Sequence, residues 1–432
     1  MGELRFVHAA DLHLGRLFSG LERTTPELGR IFRRAHSESW ERIVREAVAR
    51  KVDFVTLAGD VFDASNPGVR ARVDYRDGVN RLHEAGIPVF VVLGNHDPLA
   101  TFPESLRNLS GQHLFGTEPE GIRPSSVEYT DGVMVFGVSF PKTVVRDNLV
   151  NKFRRDPGLD LAIGLVHANV SGMGGHRNYA PCTMDDLRAA GMDVWCLGHV
   201  HSRTVLSRNP LVLYPGASQG AHINEPGPHG CDLVTVNHGG MIGTEFLPVA
   251  PVRWESVHVD VTGFKSVEDV MDAVEAGSSN LADRDESVRA IVVRFNLVGR
   301  GAPEVMRELE NRDELSDILS DRLSVLPVPV FPESVRDMTL PWIDLESAMD
   351  EDGFLADFLK LCSETADDPV ALQHLIEQVQ RELLTKVSPG YLSQDLKLRA
   401  AAESDCVWRN LLDHARNLTV KAFTDPTTDA TE

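Results

Sequence analysis

Short apolar runs rich in β-branched residues recur through residues 1–250. Leu4–Ala9, Phe54–Ala58, Val89–Leu93, Val133–Val138, Leu161–Val166, Val194–Leu197 and Leu211–Tyr214 each have the length and composition of a buried strand. Between the first two, Leu28, Ile31, Phe32, Ala35, Ile43, Ala47 and Val48 fall largely on one helical face. Glu38/Arg42 and Glu41/Arg45 are spaced to pair at i,i+4 along that helix. Strand–helix–strand succession of this kind predicts an α/β domain with buried sheets.

The pattern changes around Pro248–Pro251. Trp254–Val261 and Ala290–Val298 read as strands, each followed by an acidic helical stretch, with Val325–Val330 as a third strand. Together they predict a small α+β unit. Beyond Pro332 the spacing is helical. Apolar stripes run through Phe354, Leu355, Phe358, Leu359 and Cys362, then Leu372, Leu375, Ile376, Val379 and Leu383. A third runs through Val407, Trp408, Leu411, Leu412, Ala415 and Leu418. The closing TDPTTDATE reads as a disordered tail.

Composition bounds the class. At 432 residues the chain exceeds one ordinary domain, and 42% hydrophobic with 25% charged residues is a globular composition. No run approaches the roughly 18 apolar residues of a membrane span, and Met1–Ala10 has no signal-peptide layout. Cys182, Cys196, Cys231, Cys362 and Cys406 are scattered, with no CxxC pair. They predict free thiols in a reducing cytoplasm, not a disulfide framework or a zinc ribbon. The net charge of −21 looks hostile to nucleic acid. Its carboxylate excess lies mainly in residues 251–432, however, and global charge does not decide whether a local site binds phosphate.

Five polar clusters sit at or just beyond the C-terminal ends of predicted strands, where α/β sheets place their sites. They are Asp11-Leu-His13, Gly59-Asp60-Val-Phe-Asp63, Gly94-Asn95-His96-Asp97, His167, and Gly198-His199-Val-His201. Carboxylate, imidazole and amide oxygen ligands suit Mn²⁺, Fe²⁺ or Zn²⁺, and the lack of thiolate argues against a structural zinc. Two such metals about 3.5–4 Å apart need an anion between them, which a carboxylate supplies.

In this order the clusters resemble the calcineurin-like metallophosphoesterase superfamily. Longer stretches are similar to its DNA-repair branch, the SbcD and YhaO-like proteins. These are His8-Ala-Ala-Asp-Leu-His-Leu-Gly15, Asn178-Tyr-Ala-Pro-Cys182, Trp195-Cys-Leu-Gly-His-Val-His201, Tyr214-Pro-Gly-Ala-Ser-Gln-Gly220 and Asn224-Glu-Pro-Gly-Pro228. The resemblance implies an α/β four-layer sandwich, two mixed β-sheets flanked by helices. It covers a nuclease domain over 1–250; the changes of pattern beyond it mark an α+β cap over 251–335, a helical region over 336–423 that the resemblance favours as partner-docking, and a tail over 424–432. It also implies two divalent metal ions, Mn²⁺ foremost. Asp11, His13, Asp60 and His201 would hold the first; Asp60 would bridge to the second, completed by Asn95, His167 and His199. His96 would not ligate but would assist the leaving oxygen, a general-acid role worth about 10²–10⁴-fold in rate. Asp97 would orient His96 or a loop. Asp63, where archaeal and eukaryotic relatives tend to carry histidine, would support the ligands from behind.

The function implied is metal-dependent, exonucleolytic hydrolysis of DNA phosphodiesters. A cyclic-nucleotide or other small-diester hydrolase would use the same ligands, and a DNA-end scaffold that barely hydrolyses is a rival of another class. Phosphoprotein phosphatases differ, carrying an arginine soon after the Gly-Asp run where this chain has Ala64 and Ser65. The chain has no Gly-Lys pair and hence no P-loop, so the resemblance implies a separate SbcC-like coiled-coil ATPase as partner. It also allows a homodimer. Among the other histidines, His8 is expected to be packed, and His176 and His222 to lie in solvent-exposed loops.

Overall fold

A computed structural model describes residues 3–18, 26–124, 132–170, 179–237, 240–282, 287–309, 312–340, 345–350, 353–386, 408, 412 and 415–420. His176, Cys406, Val407 and Leu411 of the third apolar stripe, and the 424–432 tail lie outside the described residues.

Strands β1 (Leu4–Ala9), β2 (Phe54–Ala58), β3 (Val89–Val92), β4 (Gln112–Leu114), β5 (Glu120–Ile122) and β6 (Val133–Val138) come first. β7 (Leu161–His167), β8 (Val194–Gly198), β9 (Thr204–Arg208), β10 (Leu211–Tyr214), β11 (Gly230–Val236) and β12 (Ile242–Pro248) follow. They form two six-stranded sheets, ordered β12-β11-β1-β2-β3-β4 and β5-β6-β7-β8-β10-β9. Both are mixed: β1 to β4 and β6, β7, β8, β10 are parallel, with antiparallel strands at the margins.

The period of two in each strand builds the layers. From β1, Leu4 and Phe6 point between the sheets while Val7 and Ala9 point outward to helix α1 (Pro26–Ala49) and helix α2 (Val69–Glu84). From β7, Ile163 and Leu165 face inward and Ala162 and Val166 outward; from β8, Val194 and Cys196 face inward and Trp195 and Leu197 outward. Both faces are therefore covered, which is why these strands are mostly apolar rather than alternating, with Arg5 and His8 on β1 and His167 at the end of β7 as exceptions. Each fully buried side chain of Phe or Leu size contributes about 1.5–3 kcal/mol, and Phe6, Phe54, Phe90 and Phe115 form one aromatic chain between the sheets. On α1 the buried stripe includes Trp40 and Val44, whereas Val48, expected on that face, is exposed. Arg42 pairs with Glu38 as expected, but Glu41 pairs with Arg34 instead of Arg45.

Five strands and helix α2 gave no apolar run strong enough to be expected. β4, β5 and β9 are short or polar marginal strands, and β12 alternates exposed with half-buried positions. β11 starts with Gly-Cys-Asp and sits antiparallel between β12 and β1. Among the described residues, the only other helix of this part with six or more residues is the short α3 (Met184–Ala189), opened by a capping box between Thr183 and Asp186.

Beyond it lie β13 (Val252–Asp260), α4 (Val267–Ala282), β14 (Ala290–Val298), α5 (Pro303–Glu308), α6 (Arg312–Leu323) and β15 (Val330–Asp337). The strands form a third sheet, β13-β14-β15. The last strand starts at Val330, where the sequence had suggested an end. Pro327 and Pro329 lack the N–H a ladder needs, so neither donates to it, although Pro329 O accepts from Ile291 N–H (2.9 Å) at the start of the pairing. Helices α7 (Leu345–Asp350), α8 (Phe354–Asp367) and α9 (Pro369–Lys386) follow. The chain divides into two compact units, Met1–Val257 with Gly277–Arg294 and Ile318–Ser334, and His258–Ala276 with Phe295–Asp317 and Val335–Glu432. Among the described residues no helix is long and apolar enough to cross a membrane. The described cysteines, Cys182, Cys196, Cys231 and Cys362, are buried free thiols.

Candidate metal centre

The ends of five parallel strands from both sheets deliver the polar clusters to one place. Asp11 and His13 follow β1, Asp60 follows β2, Asn95 and His96 follow β3, His167 closes β7, and His199 and His201 follow β8. Holding them there costs backbone strain. Asp11, His13, Asp60 and His199 all have positive φ (49°, 45°, 47° and 105°), a conformation that costs of order 1–3 kcal/mol per non-glycine residue. Main-chain hydrogen bonds offset part of it: Asp11 N–H donates to Gly59 O (3.1 Å), His13 N–H to Asp60 O (3.0 Å) and Leu14 N–H to Val61 O (2.9 Å). The loops after β1 and β2 are thus stapled together. Two glycines leave room for ligands: a Cβ on Gly94 would meet Asp60 Oδ1 at 2.2 Å, and one on Gly198 would meet Ala58 O at 1.7 Å.

All eight residues named from the sequence converge. His13 Nε2 lies 3.1 Å from His201 Nε2. His201 Nδ1 lies 2.6 Å from Glu225 Oε1, and donation to that carboxylate leaves Nε2 with its lone pair directed away. His167 Nδ1 donates to Ala58 O (2.9 Å), so its Nε2 lone pair faces Asn95 Oδ1 at 3.1 Å and Asp60 Oδ2 at 3.5 Å. Acceptors facing acceptors at these distances repel unless a cation or proton lies between them. Asp60 Oδ1 accepts from His96 N–H (2.9 Å) while Oδ2 is also 4.0 Å from His13 Nε2, placing one carboxylate beside both groups of imidazoles. Asp11 accepts from His199 N–H at 3.0 Å, and the His199 ring packs against His167 and Tyr179.

The electrostatics call for cations. Asp11 and Asp60 are buried, yet no described Lys or Arg side chain pairs with either. Burial drives Asp11 above the ordinary carboxylate range; for Asp60 burial acts the same way, but His167, His13 and His96 outweigh it and hold it below. Burial, reinforced by His201, keeps His13 well below the usual imidazole value, in the neutral form that binds metals. Ligating atoms cluster as Asp11/His13/His201, Asp11/Asp60/His167 and His13/Asp60/His96. Buried unbalanced carboxylates, convergent imidazoles and an amide oxygen fit divalent metal ions.

Around these ligands stand residues whose role only the fold reveals. Glu225 grips His201 and accepts from Ala221 N–H (2.7 Å); despite burial, that hydrogen bond to His201 holds it far below the ordinary range. The Asn-Glu-Pro-Gly-Pro run had drawn attention to this stretch, but nothing local tied Glu225 to His201. Asp63 Oδ1 lies 3.2 Å from His13 Nδ1, and its carbonyl takes the Nδ1 proton of His96 at 2.7 Å. Asp97 is tied to loops, not to the His96 ring: it accepts from Gly94 N–H (3.0 Å) and Phe62 N–H (3.1 Å), and burial followed by Asp60 pushes it up to about 7. His8 is packed between the sheets against Thr56 and Leu197, and half-exposed His222 lies 3.4 Å from Glu225. A cleft of about 560 Å³ opens onto the cluster, lined in part by Asp63, Asn95, His96, Thr143, Tyr179 and His201.

A two-sheet sandwich carrying this cluster of imidazoles and carboxylates at its strand ends is that of a metallophosphoesterase. The chain belongs to the calcineurin-like phosphoesterase family, which it matches over residues 4–203, and residues 254–339 match the middle domain of metallophosphoesterase YhaO. It is 34% identical to the uncharacterized metallophosphoesterase YhaO of Bacillus subtilis, over 78% of this chain and 82% of that one. It is 28% identical to the DNA double-strand break repair protein Mre11 of Methanopyrus kandleri, over 72% and 71%. One component of the SbcCD nuclease of Escherichia coli is 33% identical over a shorter stretch, 24% of this chain and 23% of that one. These relatives set the chain within the DNA-repair exonuclease branch.

Proposed function

We propose that this protein is a manganese-dependent DNA exonuclease of repair, acting in the cytoplasm on phosphodiester bonds. The observation that carries the reading is the pair of converging acceptor sets flanking Asp60, with His96 on the same cleft. Asp11, His13, Asp60 and His201 would hold one ion; Asp60, Asn95, His167 and His199 the other. When bound, such metals polarise the phosphoryl group and acidify a water. Every other task falls to the chain. Glu225 fixes the His201 tautomer, Asp63 braces His13, and Asp97 locks the loops after β2 and β3 together. His96 donates Nδ1–H to Asp63 O, which leaves Nε2 for the reaction: in the doubly protonated ring Nε2–H would pass its proton to the departing 3′ oxygen, leaving the neutral Nδ1–H tautomer.

The relatives named for DNA repair and for a nuclease support DNA as substrate. The residues after the phosphoesterase domain support an ATPase partner of the SbcC-like kind. There α8 and α9 border an apolar groove of about 910 Å³ lined by Phe358, Leu361, Leu375, Val379 and Trp408, with Leu361 61% exposed. Co-purification with such an ATPase should be lost in Leu361→Asp; retention at full strength refutes that docking site. The activity itself is tested by incubating purified protein and Mn²⁺ with labelled linear DNA, hairpin DNA, cyclic nucleotides and a phosphopeptide. Chelator-sensitive shortening of DNA is expected. Turnover of cyclic nucleotides or phosphopeptide alone would overturn the reading, as would DNA binding without cleavage.

A further inference from the structure

A second, cationic cavity lies beside the metal cleft. Helix α1 carries Arg30, Arg33 and Arg34, at spacings of three and four residues that place them on one face. With Arg16 from the loop after β1 and Arg70 from the first turn of α2, they line a cavity of about 550 Å³. No carboxylate is among its described lining residues.

Ordinary pairing leaves Arg33 of this wall uncommitted among the described residues. Arg34 and Arg70 reach Glu41 (2.8 Å) and Asp74 (2.9 Å), both outside the lining, and stay 51% and 69% exposed. Arg33 is exposed and makes no ion pair with any described residue. Like charges at i,i+3 and i,i+4 weaken a helix, so three arginines here oppose α1 rather than support it. His36, also in the lining, is 3% exposed, and neither ring nitrogen has a hydrogen-bond partner. Arg16 ties the cavity to the metal cleft. Arg16 Nε lies 3.7 Å from Asp63 Oδ1, and Asp63 lines the cleft and touches both His13 and His96.

We propose that this cavity binds backbone phosphates of the nucleic-acid strand whose scissile bond lies in the metal cleft. The inference rests on the nuclease reading and adds where the uncut part of the strand is held. Guanidinium forks match phosphate oxygens, and several in one concave wall suit a polyanion better than a single carboxylate ligand. The space exceeds one phosphate and accommodates a nucleotide-sized segment.

The test measures binding of a labelled single-stranded oligonucleotide to the full chain in chelator, as a function of salt. Each phosphate contact contributes about 0.7 to the slope of log affinity against log salt for a single strand. Arg30→Gln/Arg33→Gln should therefore flatten the slope by about 1.4, Arg33→Gln by about 0.7, and Arg33→Lys by little. Arg208→Gln, an exposed arginine on β9, controls for loss of charge in general and should leave the slope unchanged. If the wild type binds and the cavity variants match it, or match Arg208→Gln, the cavity holds no phosphate and the inference falls while the nuclease reading stands. If the wild type binds no oligonucleotide, the nuclease reading fails first and this inference with it. Melting curves guard the comparison; should the double variant unfold, the Arg33 pair decides alone.

Discussion

Glu225→Gln tests whether the metal centre depends on a carboxylate that contributes no ligand atom. One Glu225 oxygen accepts from His201 Nδ1 at 2.6 Å and the other from Ala221 N–H at 2.7 Å. Glutamine has one acceptor and one donor in their place. If its oxygen keeps Ala221, its NH₂ faces His201 and favours the tautomer with the proton on Nε2, the atom aimed at the metal. If it turns over, Ala221 N–H loses its acceptor. A hydrogen bond to a charged group is worth about 1.5–3 kcal/mol, equivalent to roughly 10- to 150-fold in an equilibrium constant. Loss of an outer partner of a metal-binding histidine typically costs about 10–100-fold in metal affinity or activity. The two estimates overlap, so Mn²⁺ affinity should fall by about 10- to 100-fold, with DNA cleavage following at limiting metal and recovering at saturating metal. A competition titration against a chelating dye measures the first, and cleavage at several Mn²⁺ concentrations the second. Melting of the metal-free variant separates a loss of fold stability from a loss of metal affinity. Affinity within about twofold of wild type would refute the argument that Glu225 sets the His201 tautomer.

Asp60→Asn should lower metal stoichiometry, whereas His13→Ala should mainly weaken one site; two tightly bound ions in Asp60→Asn, counted by elemental analysis, would end the bridging assignment. His96→Ala should keep both ions and DNA binding while turnover drops by about 10²–10⁴, and near-normal turnover or a lost ion would show a different role. Acid should expose the buried His8, whose pKa burial lowers to about 4. A group depressed below its unfolded value near 6.5 favours folding fully above that pH, and its contribution is lost as pH falls from about 6.5 to 4, for a total of about 3 kcal/mol. Denaturant unfolding of the metal-free protein should therefore show wild type losing that much more stability than His8→Gln over this interval; a pH-independent difference would refute it.

The sequence was most informative where burial is two-sided. β1, β2, β6, β10 and β14 form at the residues their apolar runs marked, because a strand covered on both faces is mostly apolar along its length whatever its partners. Ligand types and their strand-end positions were legible for the same local reason. Marginal strands such as β9 and β12 were not, since a half-exposed strand carries little apolar signal. The extent of β15 turned on proline chemistry that its hydrophobicity hid. Only the tertiary structure decided which side chains meet. Glu225 reaches His201 because the loop after β10 returns across the end of β8. Asp60 stands between both imidazole sets because the two sheets stack with their strand ends together. Arg16, Arg33 and Arg70 share one cavity because α1 and α2 pack side by side over the first sheet. Spacing along a chain records what each residue is and which local face it occupies; distance between elements depends on how whole layers pack, and that is a property of the folded molecule.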